Sequence, residues 1–125
     1  MALRIDMVTV DSADPRPLAQ WWAQALDGRV VDEHDGWFIE VVPQAGAGGP
    51  VLAFQKVDDP TPGKNRLHLD LGATDREAEV AALVAAGATP VGEHSAPGYR
   101  WTVLADPQGN QFCVGAPDAS ATDVS

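Results

Sequence analysis

The feature of this sequence that most limits its fold is an internal repeat: one order of segments is written twice, 60 positions apart. The first copy opens with an alternating strand over residues 5–10, then Asp14 and Pro15, an N-cap followed by proline at the first helical position. Leu18, Trp22, Ala25 and Leu26 recur at i, i+4, i+7 and i+8. That stripe predicts a helix over 15–26, with Gly28 placed to close it in the left-handed conformation. In the second copy the strand covers 66–71, and Thr74 with Glu77 makes a capping box. Val80, Leu83 and Val84 form the stripe and Gly87 the stop, which predicts a helix over 75–86. Each helix is followed by an aromatic-rich hairpin, VVDEHDGWFIEV from Val30 and PVGEHSAPGYRWTVL from Pro90. Each copy ends in a strand after a glycine, GPVLAFQKV from Gly49 and GNQFCVGAP from Gly109.

Strand, helix and three strands, twice over, describe an α+β chain of two βαβββ modules with about eight strands. If the helices cover one side of each sheet, the other side needs a different cover, and two curved mixed sheets facing each other would form a cleft. The expected boundaries are 1–57 for the first module, 58–65 for a Pro/Gly linker (DDPTPGKN), 66–117 for the second module and 118–125 for a poorly ordered polar tail.

Charge narrows the partners. Eight Lys and Arg against 18 Asp and Glu leave −10, which repels phosphate backbones and anionic headgroups and mildly favours a cationic ligand. Neither nucleic acid nor a membrane is expected as a partner. No apolar run reaches the roughly 18 residues of a membrane span, MALRIDMVTV lacks the build of a signal peptide, and the single cysteine cannot form an internal disulfide. A cytoplasmic location follows as the expectation. No Gly-rich phosphate loop, Cys-x-x-Cys pair, nucleophile elbow or paired catalytic carboxylates are present.

Chemistry has to be sought in RLHLDLGATD, residues 66–75. As a strand it sends Leu67, Leu69 and Leu71 to one face and His68 and Asp70 to the other. The expectation is that the leucines pack on the helix and His68 faces the concave side with Gln55 and Cys113. There His68 would serve as a ligand contact or a metal-free acid or base, or else as a core histidine bonded to a backbone carbonyl.

FQKVDDPTPGKNRLHLDL from Phe54 and WTVLADPQGNQFCV from Trp101, within a likeness covering residues 4–117, resemble the vicinal oxygen chelate superfamily. That is the group of glyoxalase I, bleomycin-resistance proteins and extradiol dioxygenases, and the likeness is to its small glyoxalase-like domain branch. The resemblance implies the cleft just described. It also implies four metal-ligand positions, one on the first and one on the last strand of each module, which fall on Met7, Ala53, His68 and Cys113. A thioether and a methyl group offer no hard donor, so neither a metal nor any other cofactor is expected, even with Gln55 nearby.

The other candidates divide between pocket and core. Cys113 is an inert buried thiol or, less simply, a nucleophile. Trp22 belongs to the helix stripe with Trp21 at its edge, whereas Trp37, Tyr99 and Trp101 lie on the hairpins and can stack on a planar or cationic ligand. His34 and His94 fall near turns, His94 beside the SAPG rim. The Asp106-Pro107-Gln108-Gly109-Asn110 run is a turn that sets the register of the strand carrying Cys113. The favoured function is a metal-free small-molecule binding protein of the sequestration or resistance type. Its ligand would be aromatic or cationic, in a cleft lined by His68, Gln55, Trp37 and Trp101 with Tyr99, Cys113, Met7 and Ala53, and the chain would form a homodimer. The alternative is a lyase, isomerase or dioxygenase using His68 as catalytic residue with an atypical or absent metal.

Overall fold

The computed structural model of the chain describes residues 2–121. It divides into two compact units, 1–62 and 63–125, the break falling inside the Pro/Gly stretch. In the first unit the order is β1 (Met7–Ser12), α1 (Pro15–Leu26), β2 (Arg29–Val31), β3 (Phe38–Val42) and β4 (Val51–Lys56). The second repeats it with β5 (Asp70–Gly72), α2 (Arg76–Ala85), β6 (Thr89–Ala96), β7 (Tyr99–Ala105) and β8 (Gln111–Pro117).

The two sheets have the same topology, β1-β4-β3-β2 and β5-β8-β7-β6. In each, the first strand pairs in parallel with the last and the remaining pairs are antiparallel. This is the doubled βαβββ order, a mixed α+β fold, and β4 and β8 begin 60 residues apart as the repeat predicts.

In the first unit, Val8, Val10, Ile39, Val41, Leu52 and Phe54 share one face by register, and α1 lays Leu18, Ala19, Trp22 and Ala23 over that sheet. Phe54, Leu18, Ile39 and Val41 are nearly sealed from water, each such side chain adding about 1.5 to 3 kcal/mol through burial. Asp27, not Gly28, takes the left-handed position at the end of α1 (φ 52°). Gly28 is needed for a different reason: a Cβ there would lie 2.8 Å from the Val41 side chain. The second unit is packed less evenly. Leu104, Phe112 and Val114 are buried on β7 and β8, but no residue of α2 is buried, and Val84 of its stripe remains 38% exposed.

Three local expectations need correction. The helix cap of α2 is Asp75, whose carboxylate accepts the Ala78 N–H at 3.1 Å, one residue beyond Thr74. The first strand starts at Met7 and not at residue 5. The strand expected over 66–71 is confined to Asp70–Gly72, and Leu67, assigned to the helix-packed face, is 86% exposed, while Leu69 and Leu71 are half-buried. The cause is pairing: β5 meets only β8, beginning with the Cys113 N–H on the Leu69 carbonyl. Upstream, the Asn65 side chain takes the place of a strand, accepting the Gln111 N–H at 2.9 Å and donating to the Gln111 carbonyl at 3.1 Å.

Asp118 at the start of the expected tail is tied to Arg100 at 3.1 Å and caps Ser120, and Ala121 is buried. The remainder of that tail, 122–125, lies outside the described residues.

Candidate functional site

A cavity of about 490 Å³ opens on the second unit, lined by side chains from β5 to β8 and from the segment before β5. Its walls follow from register. Asp70 stands beside Cys113, which stands beside Val103; Gly115 stands beside Trp101, which stands beside His94. Side chains two apart on a strand share a face, so Asp70, Cys113, Gly115, Trp101, Val103, Tyr99 and His94 all project to one side, away from α2.

The aromatic wall is a continuous shelf. The His94 and Trp101 rings stack at 5.7 Å with 25° between their planes, and Tyr99 tilts against Trp101 at 6.1 Å. Gly115 makes room for it: a Cβ at this position would overlap the Tyr99 hydroxyl and ring, so only glycine lets the tyrosine lie on β8. Trp101 and His94 are half-buried and Tyr99 is exposed, as suits rings that line an open pocket.

The polar wall centres on Asp70. His68 Nδ1 lies 3.0 Å from Asp70 Oδ1 and 3.9 Å from Cys113 Sγ. A carboxylate only accepts, so the nitrogen facing it carries the proton and donates. Burial pushes the Cys113 thiol up from its ordinary range, and the nearby Asp70 carboxylate raises it further, with Lys64 opposing weakly. Cys113 therefore stays a protonated donor. It is not activated by His68, because the imidazole nitrogen nearest to it is the one committed to Asp70.

His68, Cys113, Tyr99 and Trp101 are thus brought together in one pocket of the second unit. Met7, Ala53 and Gln55 share one face of the first sheet, the side opposite α1; Ala53 is sealed and Gln55 half-buried. Trp37 lies just before β3, 52% exposed, its N–H donating to the His34 carbonyl at 3.2 Å. His34 packs its exposed ring against Trp37, and Trp22 is core.

Sequence reasoning gave no role to Asp70, Lys64, Gln111 or Gly115, all of which line the pocket, nor to Glu40, which pairs with Ala53 on the first sheet. The signal for Asp70 was its alternation with His68.

The resemblance to the chelate superfamily implies a divalent metal held by four side chains. The family positions do not fit one here. Met7 and Ala53 bring no hard donor, which leaves only His68 and Cys113 of the four family positions. Asp70 adds a third potential ligand atom, within 4.8 Å of those of His68 and Cys113, but it is not among the family positions and its carboxylate is engaged by His68.

Residues 7–115 match the model of the glyoxalase-like domain. Solved structures share the fold at low identity. A glyoxalase/bleomycin resistance protein/dioxygenase family enzyme from Burkholderia phytofirmans PsJN superposes with a TM-score of 0.76 at 17% identity, over 93% of this chain and 100% of its own. A superfamily member from Sphaerobacter thermophilus DSM 20745 gives 0.69 at 22%, over 91% and 97%. TnmS3, an antibiotic binding protein from Streptomyces sp. CB03234, gives 0.66 at 21%, over 94% and 99%. No curated protein matches the sequence.

Proposed function

The chain belongs to the glyoxalase-like domain family, and from that premise we propose that it is a metal-free binding protein for a small aromatic or cationic molecule, of the sequestration or resistance type. The observation that carries this reading is the shelf of His94, Trp101 and Tyr99 in a 490 Å³ cavity. Its volume lies within the few hundred to about 1,000 Å³ of small-molecule sites. An edge of donors and acceptors at His68, Asp70 and Cys113 would orient what the shelf stacks. A structural relative that binds an antibiotic supports the same direction. We also propose that the protein acts in the cytoplasm as a homodimer; no described helix is long and apolar enough to cross a membrane.

Titrating aromatic compounds into the purified protein while following tryptophan fluorescence tests the binding. Saturable quenching that disappears in Trp101→Leu is expected. Quenching unaltered by that substitution would move the ligand elsewhere.

A second reading, a lyase, isomerase or dioxygenase working through His68, is favoured by the His68–Asp70 pair, which can take and return a proton. Elemental analysis after purification without metal-charged resin separates the metal-dependent form of it. One equivalent of zinc, iron, manganese or nickel, lost in His68→Ala, would overturn the metal-free proposal.

A further inference from the structure

We infer that Asp70 is a positioning residue that fixes the tautomer of His68, so that the pocket presents an acceptor nitrogen, and that its preferred ligand is a flat aromatic molecule bearing an O–H or N–H donor. The inference deepens the binding function proposed above and rests on it for the ligand class alone.

Its basis is the 3.0 Å contact of Asp70 Oδ1 with His68 Nδ1. The carboxylate cannot donate, so Nδ1 carries the hydrogen, and in a neutral imidazole Nε2 is left with its lone pair. Asp70 is itself held in place by β5 pairing, opposite Cys113. His68 therefore spends its hydrogen on Asp70, and the ring nitrogen still available to a ligand is an acceptor. Both side chains line the cavity whose opposite wall is the Trp101–His94 stack, so a ring lying on that shelf can direct its edge toward His68. A hydroxyl or ring N–H on that edge completes a hydrogen bond, whereas an ether or ring nitrogen in the same place sets acceptor against acceptor.

The side chains are partly open to water, 47% for His68 and 71% for Asp70, so the discrimination is that of one hydrogen bond, about five- to tenfold in affinity. Asp70→Asn is the informative change. Its volume is unaltered, but the amide can donate to Nδ1, which then accepts and moves the hydrogen to Nε2.

The test has two arms on the intact protein. Nitrogen-15 NMR of the imidazole rings at pH 8 reads the tautomer directly. A protonated Nδ1 at His68 in the wild type, and a shift toward protonated Nε2 in Asp70→Asn with the rest of the spectrum preserved, is the expected result. A protonated Nε2 in the wild type would overturn the inference. Calorimetry with 2-naphthol and 2-methoxynaphthalene reads the ligand class. The naphthol should bind the wild type about five- to tenfold more tightly, and the preference should vanish or invert in Asp70→Asn. Equal affinities in the wild type would refute the assigned donor. If neither naphthalene binds, the aromatic-pocket function and the ligand class fall together, while the NMR result still decides the role of Asp70.

Discussion

At the scale of single residues, the pocket works by what Asp70 withholds from its neighbours. It turns His68 so that one nitrogen is spent, and it adds to the burial that keeps the Cys113 thiol protonated. The thiol is raised by burial first and by Asp70 second, so its contribution to stability is complete below the ordinary thiol range and declines as pH rises through the folded value. Iodoacetamide at pH 8 should therefore alkylate Cys113 more slowly in the native protein than in urea, and equal rates would show that the thiol is neither buried nor held. Truncating His68 to Ala should leave the fold intact and weaken ligand binding by about 1 kcal/mol or more, the worth of one hydrogen bond. Unchanged affinity in a fluorescence titration would remove His68 from the site. The pairing of His68 with Asp70 was half legible in LHLDL, where alternation puts both on one face. That Cys113 joins them depends on the parallel register of β5 on β8, which no local pattern encodes.

At the scale of elements, two polar clamps hold the strands that carry the site. Asp106, 3% exposed, accepts the backbone N–H groups of Gln108 and Asn110 at 2.9 and 3.0 Å and the Asn110 side chain besides, which sets the turn into β8. Asp106→Ala should cost roughly 2 kcal/mol or more, since buried donors lose a charged acceptor, and a urea midpoint equal to that of the wild type would show the clamp to be idle. Arg76 at the start of α2 donates to Thr102 on β7 at 2.6 Å and to Glu93 on β6 at 3.0 Å. At Gly115, a change to Ala would displace Tyr99 from β8 and break the aromatic shelf with the strand order kept. The helix α1 was readable because proline, the stripe and a short connection agree with one another. The strand over residues 66–69 was misjudged because its leucines alternate without a ladder to hold them, the Asn65 side chain having taken the pairing positions on Gln111.

For the whole molecule, the duplicated plan was the most legible property, since capping residues, glycines and hairpins recur at offsets of about 60 residues. What the repeat hides is that the copies differ in chemistry: the position of His68 is Met7 in the first unit and that of Cys113 is Ala53. Acid stability ought to show both units. Asp32, lowered by its bond to Arg16 and the Gly36 N–H, lies in the first, and Asp118, lowered chiefly by Ser120 and then by Arg100, lies in the second. A depressed carboxylate stabilises above its unfolded value and loses that contribution as pH falls through the folded one. Urea midpoints followed from pH 7 to pH 3 should therefore drop less steeply in Asp32→Asn with Asp118→Asn than in the wild type.

The claim on which the rest depends is that the second unit's pocket takes an aromatic ligand with no metal present. Two-dimensional NMR of protein stripped with a chelator and titrated with 2-naphthol tests it most directly. Saturable shifts confined to the neighbourhood of Trp101, Tyr99, His94 and His68 are expected in the metal-free sample. Shifts that arise only after a divalent ion is restored, or that map away from those residues, would contradict it.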